Sequence, residues 1–487
     1  MSAADYVIRV LSSPLEVDAA QWNTLLAHQS HATPFMRHEY LAALHASGSA
    51  SPATGWSPRF ITLWQRSGAD TPVSQGSDDT LVAACALYLK DHSYGEYVFD
   101  WAWANAYAQH GMAYYPKALV AVPFTPVPGT RLLARDAATR ETLAKTLIAW
   151  SEGEGLSSLH LLFASDEDVA ACTSAGLLLR HTVQFHWKNV APTLGTGVSS
   201  LPPEGVDFPG GGPAENLAPT LGTGMSSLPH EGVDFPGGGP AGNLALGLST
   251  AGLRAQAVMK PFRDFDDFLA SLSQDKRKKI RQERRKVAQA GVRFRWSLGR
   301  DISPQDWDFF YQCYERTYLE HGNAPYLSRD FFTRMAETMP ENWLLFVAER
   351  DTDGRPHPIA TSLIAISAYR ERADGQFGHK NQTTPSDRVA YGRYWGALER
   401  VDCLHFEACY YQPLQWCIEH GYQRFEGGAQ GEHKMARALL PVKTTSAHWL
   451  AHPDFADAVE RFLHREGEGI SGYLDELSDR SPFRQTR

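Results

Sequence analysis

From Ala390 to Arg437 the chain crowds together residue types that do chemistry: AYGRYWGALERVDCLHFEACYYQPLQWCIEHGYQRFEGGAQGEHKMAR. His405 and Glu407 stand two apart. The short apolar and aromatic run around them reads as a strand, on which both would point to one face. A His–carboxylate pair held together in this way can take a proton from a nucleophile. ACYYQPLQWCIEHGY then reads as a helix closed by Gly421. A second strand, YQRFEGG, runs into Gly427 and Gly428 and on to Gln430, Glu432, His433, Lys434 and Arg437. Glycines at a strand end let the backbone approach a ligand closely. Backbone N–H groups there, with Lys434, suit a developing oxyanion or a phosphate. The candidates for catalysis are therefore Glu407 and His405, then Glu432 and His433, with Lys434 at the oxyanion. Arg393, Tyr394, Gln430 and Arg437 are candidates for binding substrate.

Three further patterns have competing readings. Cys403-x-His405-x-Glu407-x-Cys409 would place four metal-ligating types on one strand face. Structural zinc sites space their ligands more widely and no CxxC or HxxxH follows, so metal is the weaker reading and no metal is assigned. Eight of the twelve residues from Asp275 to Lys286 are Lys or Arg. On a helix these form either a solvated face with local ion pairs or an anion site for the phosphates of a donor, with Lys278, Lys279, Arg281 and Arg285 as its residues. In the first half, FDWAWANAYAQHG offers Asp100, Trp101, Trp103 and Tyr107 as an aromatic groove for an acyl or sugar group. The alternative is a set of core aromatics with Asp100 capping a helix. The groove reading predicts that these aromatics face the 405–437 block across a cleft between the halves.

These residues need a framework. The chain has 487 residues, too many for one core, with 43% hydrophobic and 21% charged residues, as in ordinary globular domains. A net charge of −9 argues against bulk attraction to nucleic acid or anionic membranes, though a local basic patch can still act. Six scattered cysteines without a CxxC pair read as reduced thiols in a cytoplasm. No secretory pattern opens the chain, and no run of 18 or more apolar residues would span a membrane.

A tandem repeat divides the sequence. APTLGTGVSSLPPEGVDFPGGGPAENL (191–217) is followed at once by a copy (218–244) that differs only at Val198/Met225, Pro203/His230 and Glu215/Gly242. Its Gly, Pro and Ser content cannot bury enough surface to offset ordering, so it reads as a dispensable flexible linker, 191–250. On either side, 1–190 and 251–487 alternate strand and helix signals, which predicts two α/β domains of similar plan with mixed sheets. The first half offers YVIRVLSS, RFITLWQ, LVAACALYLK and SSLHLLFA as strands. In the second, FDDFLASLSQDKRKKIRQERRKVAQAG reads as one helix ending at Gly291, followed by the strand VRFRWSL.

FDWAWANAY, YYPK, PFTPVPGTRLL, FHWKN, RKKIRQERRKV, YGRYWG, LHFEACYYQ and EGGAQGEHKMAR together resemble a bacterial family of predicted N-acyltransferases linked to peptidoglycan biosynthesis or recognition. That family lies in the GNAT superfamily and is similar to the FemAB-type aminoacyl transferases. The resemblance covers most of 1–190 and 260–487. It implies two tandem GNAT-like domains and transfer of an acyl or aminoacyl group to an amine, with a peptidoglycan precursor as one acceptor. It implies acyl-CoA or aminoacyl-tRNA as co-substrate, with tRNA contact through the basic helix, and no bound cofactor. In FemAB-type enzymes an acidic-Gly-Gly strand end precedes a substrate-steadying lysine; Glu426-Gly427-Gly428 and Lys434 match it here. Arg424-x-x-Gly427-x-Ala429 also fits the loose acyl-CoA pyrophosphate pattern, although its Arg falls inside the expected strand. The insertion at 191–244 departs from the family pattern. A non-catalytic module that recognises cell-wall precursors or a protein is the reading of a different class.

Overall fold

The computed structural model describes residues 6–66, 79–190, 260–352, 354–367, 388–429 and 431–484. The tandem repeat lies outside the described residues. The strands are β1 (Tyr6–Leu11), β2 (Trp56–Pro58), β3 (Phe60–Gln65), β4 (Thr80–Cys85), β5 (Leu87–Lys90), β6 (Lys117–Val120), β7 (Leu133–Ala134), β8 (Ser158–Leu161) and β9 (Leu178–Lys188) in the first half. The second half gives β10 (Val292–Leu298), β11 (Trp343–Thr352), β12 (Arg355–Ile366), β13 (Val389–Ala397), β14 (Arg424–Ala429) and β15 (Leu440–Leu450). One sheet runs β1-β3-β4-β7. The other spans both halves in the order β10-β11-β12-β13-β14-β9-β15-β8-β6-β5-β2. LVAACALYLK, read as one strand, is two: it breaks at Ala86, and β4 and β5 belong to different sheets.

The architecture is the expected mixed α/β one, with two halves of similar plan. In each, an antiparallel run ends in a parallel pair joined through a helix. The pairs are β6 with β8, across Ala137–Gly153, and β13 with β14, across Gln412–Glu419. Parallel neighbours need such a crossover. The helix Ala137–Gly153 starts where the Asp136 side chain accepts from the backbone N–H of Thr139.

At the sheet's centre the halves interlock. β9, from the first half, lies between β14 and β15; β15, from the second half, lies between β9 and β8. β9 pairs with β15 from Leu440↔His186 to His448↔Leu178, and β15 reaches β8 through Ala447↔Leu161 to Leu450↔Ser158. Phe425 of β14 faces Trp187 of β9 across the ladder, and both are fully buried. Burying each such side chain stabilises by about 1.5–3 kcal/mol. Aromatic contacts join the halves elsewhere too: the rings of Phe35 and Tyr391, and of Tyr40 and Phe331, lie 5.3 Å apart edge to face.

The run around His405 is helical, not a strand. Leu404, Glu407, Ala408, Tyr411, Leu414 and Ile418 are buried, the recurrence of a helix face. Glu407–Tyr411 forms a π-helical turn in which Gln412 N–H reaches back to Glu407 O. Pro413 comes next and has no N–H to give, and the wider turn accommodates it. The long helix expected from FDDFL to Gly291 is also two, Phe265–Ser271 and Gln274–Gln289. Only Ile280, Glu283 and Val287 of the second are buried, spaced three and four apart.

Because each half fills the other's sheet, neither is expected to fold alone. Residues 1–190 and 260–487 expressed separately should show no cooperative thermal transition by circular dichroism. Co-expressed, they should co-purify and unfold in one transition. A sharp transition in either isolated half would contradict the interlock.

Candidate active site

β13 and β14 pair at only three positions, Val389↔Arg424, Ala390↔Phe425 and Tyr391↔Glu426. Beyond them β13 stays with β12 as far as Ala397, while β14 turns to β9, with Ala429 opposite Gln184. The strands therefore part at their carboxyl ends, the place where an α/β sheet presents ligands. Gly427 permits the departure: a Cβ there would sit 2.4 Å from Leu439 Cδ2 and 3.3 Å from Phe185 O.

Glu426, the last residue of β14 paired with β13, borders the opening on one sheet face. It is buried, and its Oε1 lies 2.9 Å from Arg424 Nε. Its Oε2 is buried without a hydrogen-bond partner, with His186 Nε2 at 4.0 Å. Burial raises the Glu426 carboxyl to about 7, against the opposing pull of Arg424. Burial, then Arg424, Lys434 and Lys188, lower His186 to about 3, which keeps it neutral.

The other face carries the glycine turn and the short 3-10 helix Glu432–Arg437. Gly428 and Gly431 have φ of +78° and +107°, open to glycine and strained for other residues. Lys434 is buried, donates from Nζ to Gly428 O at 3.2 Å, and is lowered by burial to about 8. His433 is exposed and lies 3.4 Å from the Tyr410 hydroxyl through Nε2. The cover it has, with Lys434 and Arg437 beside it, lowers it to about 4. Burial also lowers His405 to about 4; its ring packs 5.5 Å from Trp395 and 5.8 Å from Tyr410. Burial pushes the Cys409 thiol up to about 12, so it supplies no thiolate nucleophile.

A family profile described as peptidoglycan biosynthesis/recognition, FemAB-like, matches residues 13–192 and 248–485. The chain belongs to the FemAB-like family. The profile skips 193–247, which holds nearly all of the tandem repeat. No curated protein matches the FemAB-like chain. Among solved structures it is similar to the C-terminal domain of a putative lysylphosphatidylglycerol synthetase from Agrobacterium fabrum, with 10% identity over 92% of this chain and 96% of that one and a TM-score of 0.42. It is also similar to a tandem GNAT protein from the clavulanic acid biosynthesis pathway, with 10% identity over 92% and 99% and a TM-score of 0.37. A protein from Enterococcus faecalis described as a probable N-acyltransferase gives 6% identity over 92% and 73% and a TM-score of 0.31.

The structure brings His405, His433, Lys434 and Tyr410 together and takes other candidates away. Glu407 does not face the lysine turn. On a helix it points elsewhere than His405, and it is held by Arg284 Nε, at 3.1 and 3.2 Å, and by Gln412 Nε2 at 2.7 Å. Arg437 is equally committed. It donates to both Glu283 oxygens, at 3.2 and 3.0 Å, and lies 3.6 Å over the Phe406 ring. Glu432 is exposed and accepts from Tyr473 at 2.7 Å and Arg480 at 3.3 Å. Gln430 lies outside the described residues.

The first-half aromatics do not line a cleft facing 405–437. Trp103 and Tyr107 pack with Leu450, Val459 and Leu463, under the C-terminal helix Pro453–Asp479, and Trp101 is exposed. Asp100 is buried in an ionic cluster, accepting from Lys117 and, at 2.7 Å, from Tyr114. Arg393 and Tyr394 do stand on the parting strand β13.

Lys278, Lys279, Arg281 and Arg285 are exposed on the basic helix. Arg281, Arg284 and Arg285 line a surface groove of about 720 Å³, with Asp264, Asp266 and Glu407 opposite. Lys278 and Lys279 lie outside it. Glu283, on the helix's buried side, ties the groove to the lysine turn through Arg437 and the Tyr411 hydroxyl. Glu426 is the residue that motif spacing passed over as a base. The acidic-Gly-Gly match pointed to it, while its burial was not legible.

The Lys434 pKa gives a signed test. A folded value near 8 against about 10.5 unfolded means the buried cation opposes folding fully below pH 8, and the penalty fades as pH rises toward 10.5. Lys434→Met should therefore be more stable than wild type at pH 7, by on the order of 3 kcal/mol. Urea unfolding of both proteins should show the gap closing above pH 8; a gap independent of pH would contradict it.

Proposed function

We propose that this FemAB-like chain transfers an acyl or aminoacyl group to an amine at the opening between β13 and β14, with Glu426 as general base. The observation that carries the reading is a buried carboxyl near neutrality, with one oxygen unpartnered, at the last pairing before two parallel strands part. A base poised near the working pH is the most effective proton acceptor.

In this reading the amine nitrogen attacks the donor's acyl carbon and Glu426 Oε2 takes the amine proton. The tetrahedral oxyanion is met by backbone N–H groups of the glycine turn, which Lys434 holds in place through Gly428 O. The carbon–sulfur bond of an acyl-CoA, or the carbon–oxygen bond of an aminoacyl-tRNA, then breaks, and Glu426 returns its proton to the leaving atom. His405 and His433, both neutral, shape the wall and do not carry charge. The donor's phosphates are held along Arg281 and Arg285, with Lys278 and Lys279 continuing the basic face. The family's link to peptidoglycan supports a peptidoglycan precursor as the amine acceptor. Six cysteines with no disulfide partner suit a cytoplasmic location, where such precursors and both donors would be met. Among the described residues no helix is long and apolar enough to cross a membrane.

Glu426→Gln keeps size and hydrogen bonding and removes the proton acceptor. Its kcat should fall by roughly 10²–10⁴-fold with little change in donor affinity. Because the base must be ionised, wild-type kcat/KM should fall as pH drops through about 7, and the variant should lose that limb. Near-normal turnover by folded Glu426→Gln removes Glu426 from catalysis. Saturable precursor binding by wild type with no turnover on either donor class would make the chain a recognition module.

A further inference from the structure

Arg393 is the extra residue of a β-bulge. Gly392 pairs with Ile364 and Tyr394 with Leu363, and Arg393 has no partner across the ladder. Bulges re-aim side chains beside active sites, and this one lies two residues past the last β13–β14 pairing. The guanidinium swings toward the first half. There Nη2 donates to Phe124 O at 2.8 Å, and the group lies 5.3 Å from the Phe35 ring and 5.1 Å from the Tyr394 ring.

Two buried cations near this region have counter-ions. Arg437 has Glu283, and Lys117 has Glu96 and Asp100. Arg393 has none among the described residues. Its Nε is buried without an acceptor, and the groups that act on it most are the hydroxyls of Tyr394, Tyr40 and Tyr97. An arginine stays charged. Arg393 is partly buried; a charge held away from water without a partner carries a cost, and a ligand that brings the missing charge removes it.

The surroundings are aromatic. Phe124 stacks on Tyr326 at 4.9 Å, and Tyr326 meets Tyr318 at 5.5 Å. Tyr326 is partly exposed and Tyr94 exposed, so the aromatic wall reaches the surface. Tyr97 and Phe124 hold φ of +63° and +56°, a conformation aromatic residues adopt only when their surroundings impose it, and one that clusters at ligand sites.

We propose that Arg393 and this tyrosine wall form a subsite for a carboxylate carried by the amine acceptor; the proposal rests on the acyl-transfer reading of the β13–β14 opening. The Nε–H is the donor left for a ligand oxygen, and one guanidinium balances one carboxylate. A phosphate monoester near −2 would call for a second cation, and the aromatic neighbours of Arg393 are uncharged. The acceptor is thus an amine-bearing peptide or amino acid with a free carboxylate, anchored on β13 while its amine meets Glu426 on β14.

Calorimetric titration of L-lysyl-D-alanine and of L-lysyl-D-alaninamide, which differ only in the carboxylate, tests this without any acyl donor. Wild type should bind the acid at least about tenfold more tightly than the amide, one charge-assisted contact. Arg393→Gln should lose the preference and Arg393→Lys keep part of it, with melting temperatures confirming that both fold. Glu426→Gln should keep the preference in full. That outcome separates this subsite from the proposed base: a preference without turnover leaves the subsite standing. Equal affinity for acid and amide, a preference that survives in Arg393→Gln, or no binding of either peptide overturns the proposal. Competition by inorganic phosphate as effective as that by the acid overturns the carboxylate assignment.

Discussion

Three residue pairs hold β13 to β14, and there is an opening because there are only three. Each strand is held by a neighbour on its far side. Gly396 lets β13 lie against the helix Pro304–Glu320 so closely that a Cβ would come 2.0 Å from Cys313 O. Gly427 lets β14 press under Leu439 in the same way. Once both strands are committed outward, neither can close the gap without losing packing on its own side. The carboxyl of Glu426 is left in a dry place with one oxygen unpartnered, and its raised pKa results from that position.

The first half contains the same plan and uses it differently. β6 and β8 also pair in parallel for three residues. The space beyond them is filled by the chain itself. Arg131 donates to Leu162 O at 3.0 Å, to Gly129 O at 3.2 Å and to Val127 O. Asp168 accepts from the Arg131 backbone at 2.6 Å and from Leu132 at 3.3 Å, and Gly129 bridges to Ala164. Nearby, Lys117, Glu96, Asp100, Tyr114, His160 and His448 form a buried polar row. His160 and His448 face each other through Nδ1 atoms 2.7 Å apart, and burial keeps His160 neutral with a pKa of about 3. The aromatic segment that reads as a groove in sequence is the lid of this row.

Much of the framework was legible. VRFRWSL is β10 to the residue, YQRFEGG covers all of β14 but Ala429, and Gly291 and Gly421 come just after their helices with positive φ. The strands at the centre were not. β9 and β15 place Thr182, Gln184 and His186, and Thr444, Ser446 and His448, on one face, and that polar face is largely buried. Alternation marks a strand only when its polar side meets water. Short apolar runs leave helix and strand ambiguous, and LHFEA fell on the wrong side, which took Glu407 from the lysine turn to Arg284. Glu426 was visible as part of a motif. What makes it chemically distinct is burial, and burial here depends on strands from the other half of the chain.

The proposed catalysis at this opening turns on whether Glu426 holds a proton near neutrality. Infrared difference spectra of carboxyl groups, taken across pH 5 to 9 in wild type and in folded Glu426→Gln, measure this directly. One protonated-carboxyl band should titrate near pH 7 in wild type and be missing from the variant, while the bands of other buried acids persist. Identical spectra for the two proteins over that range would contradict the assignment of Glu426 as the base.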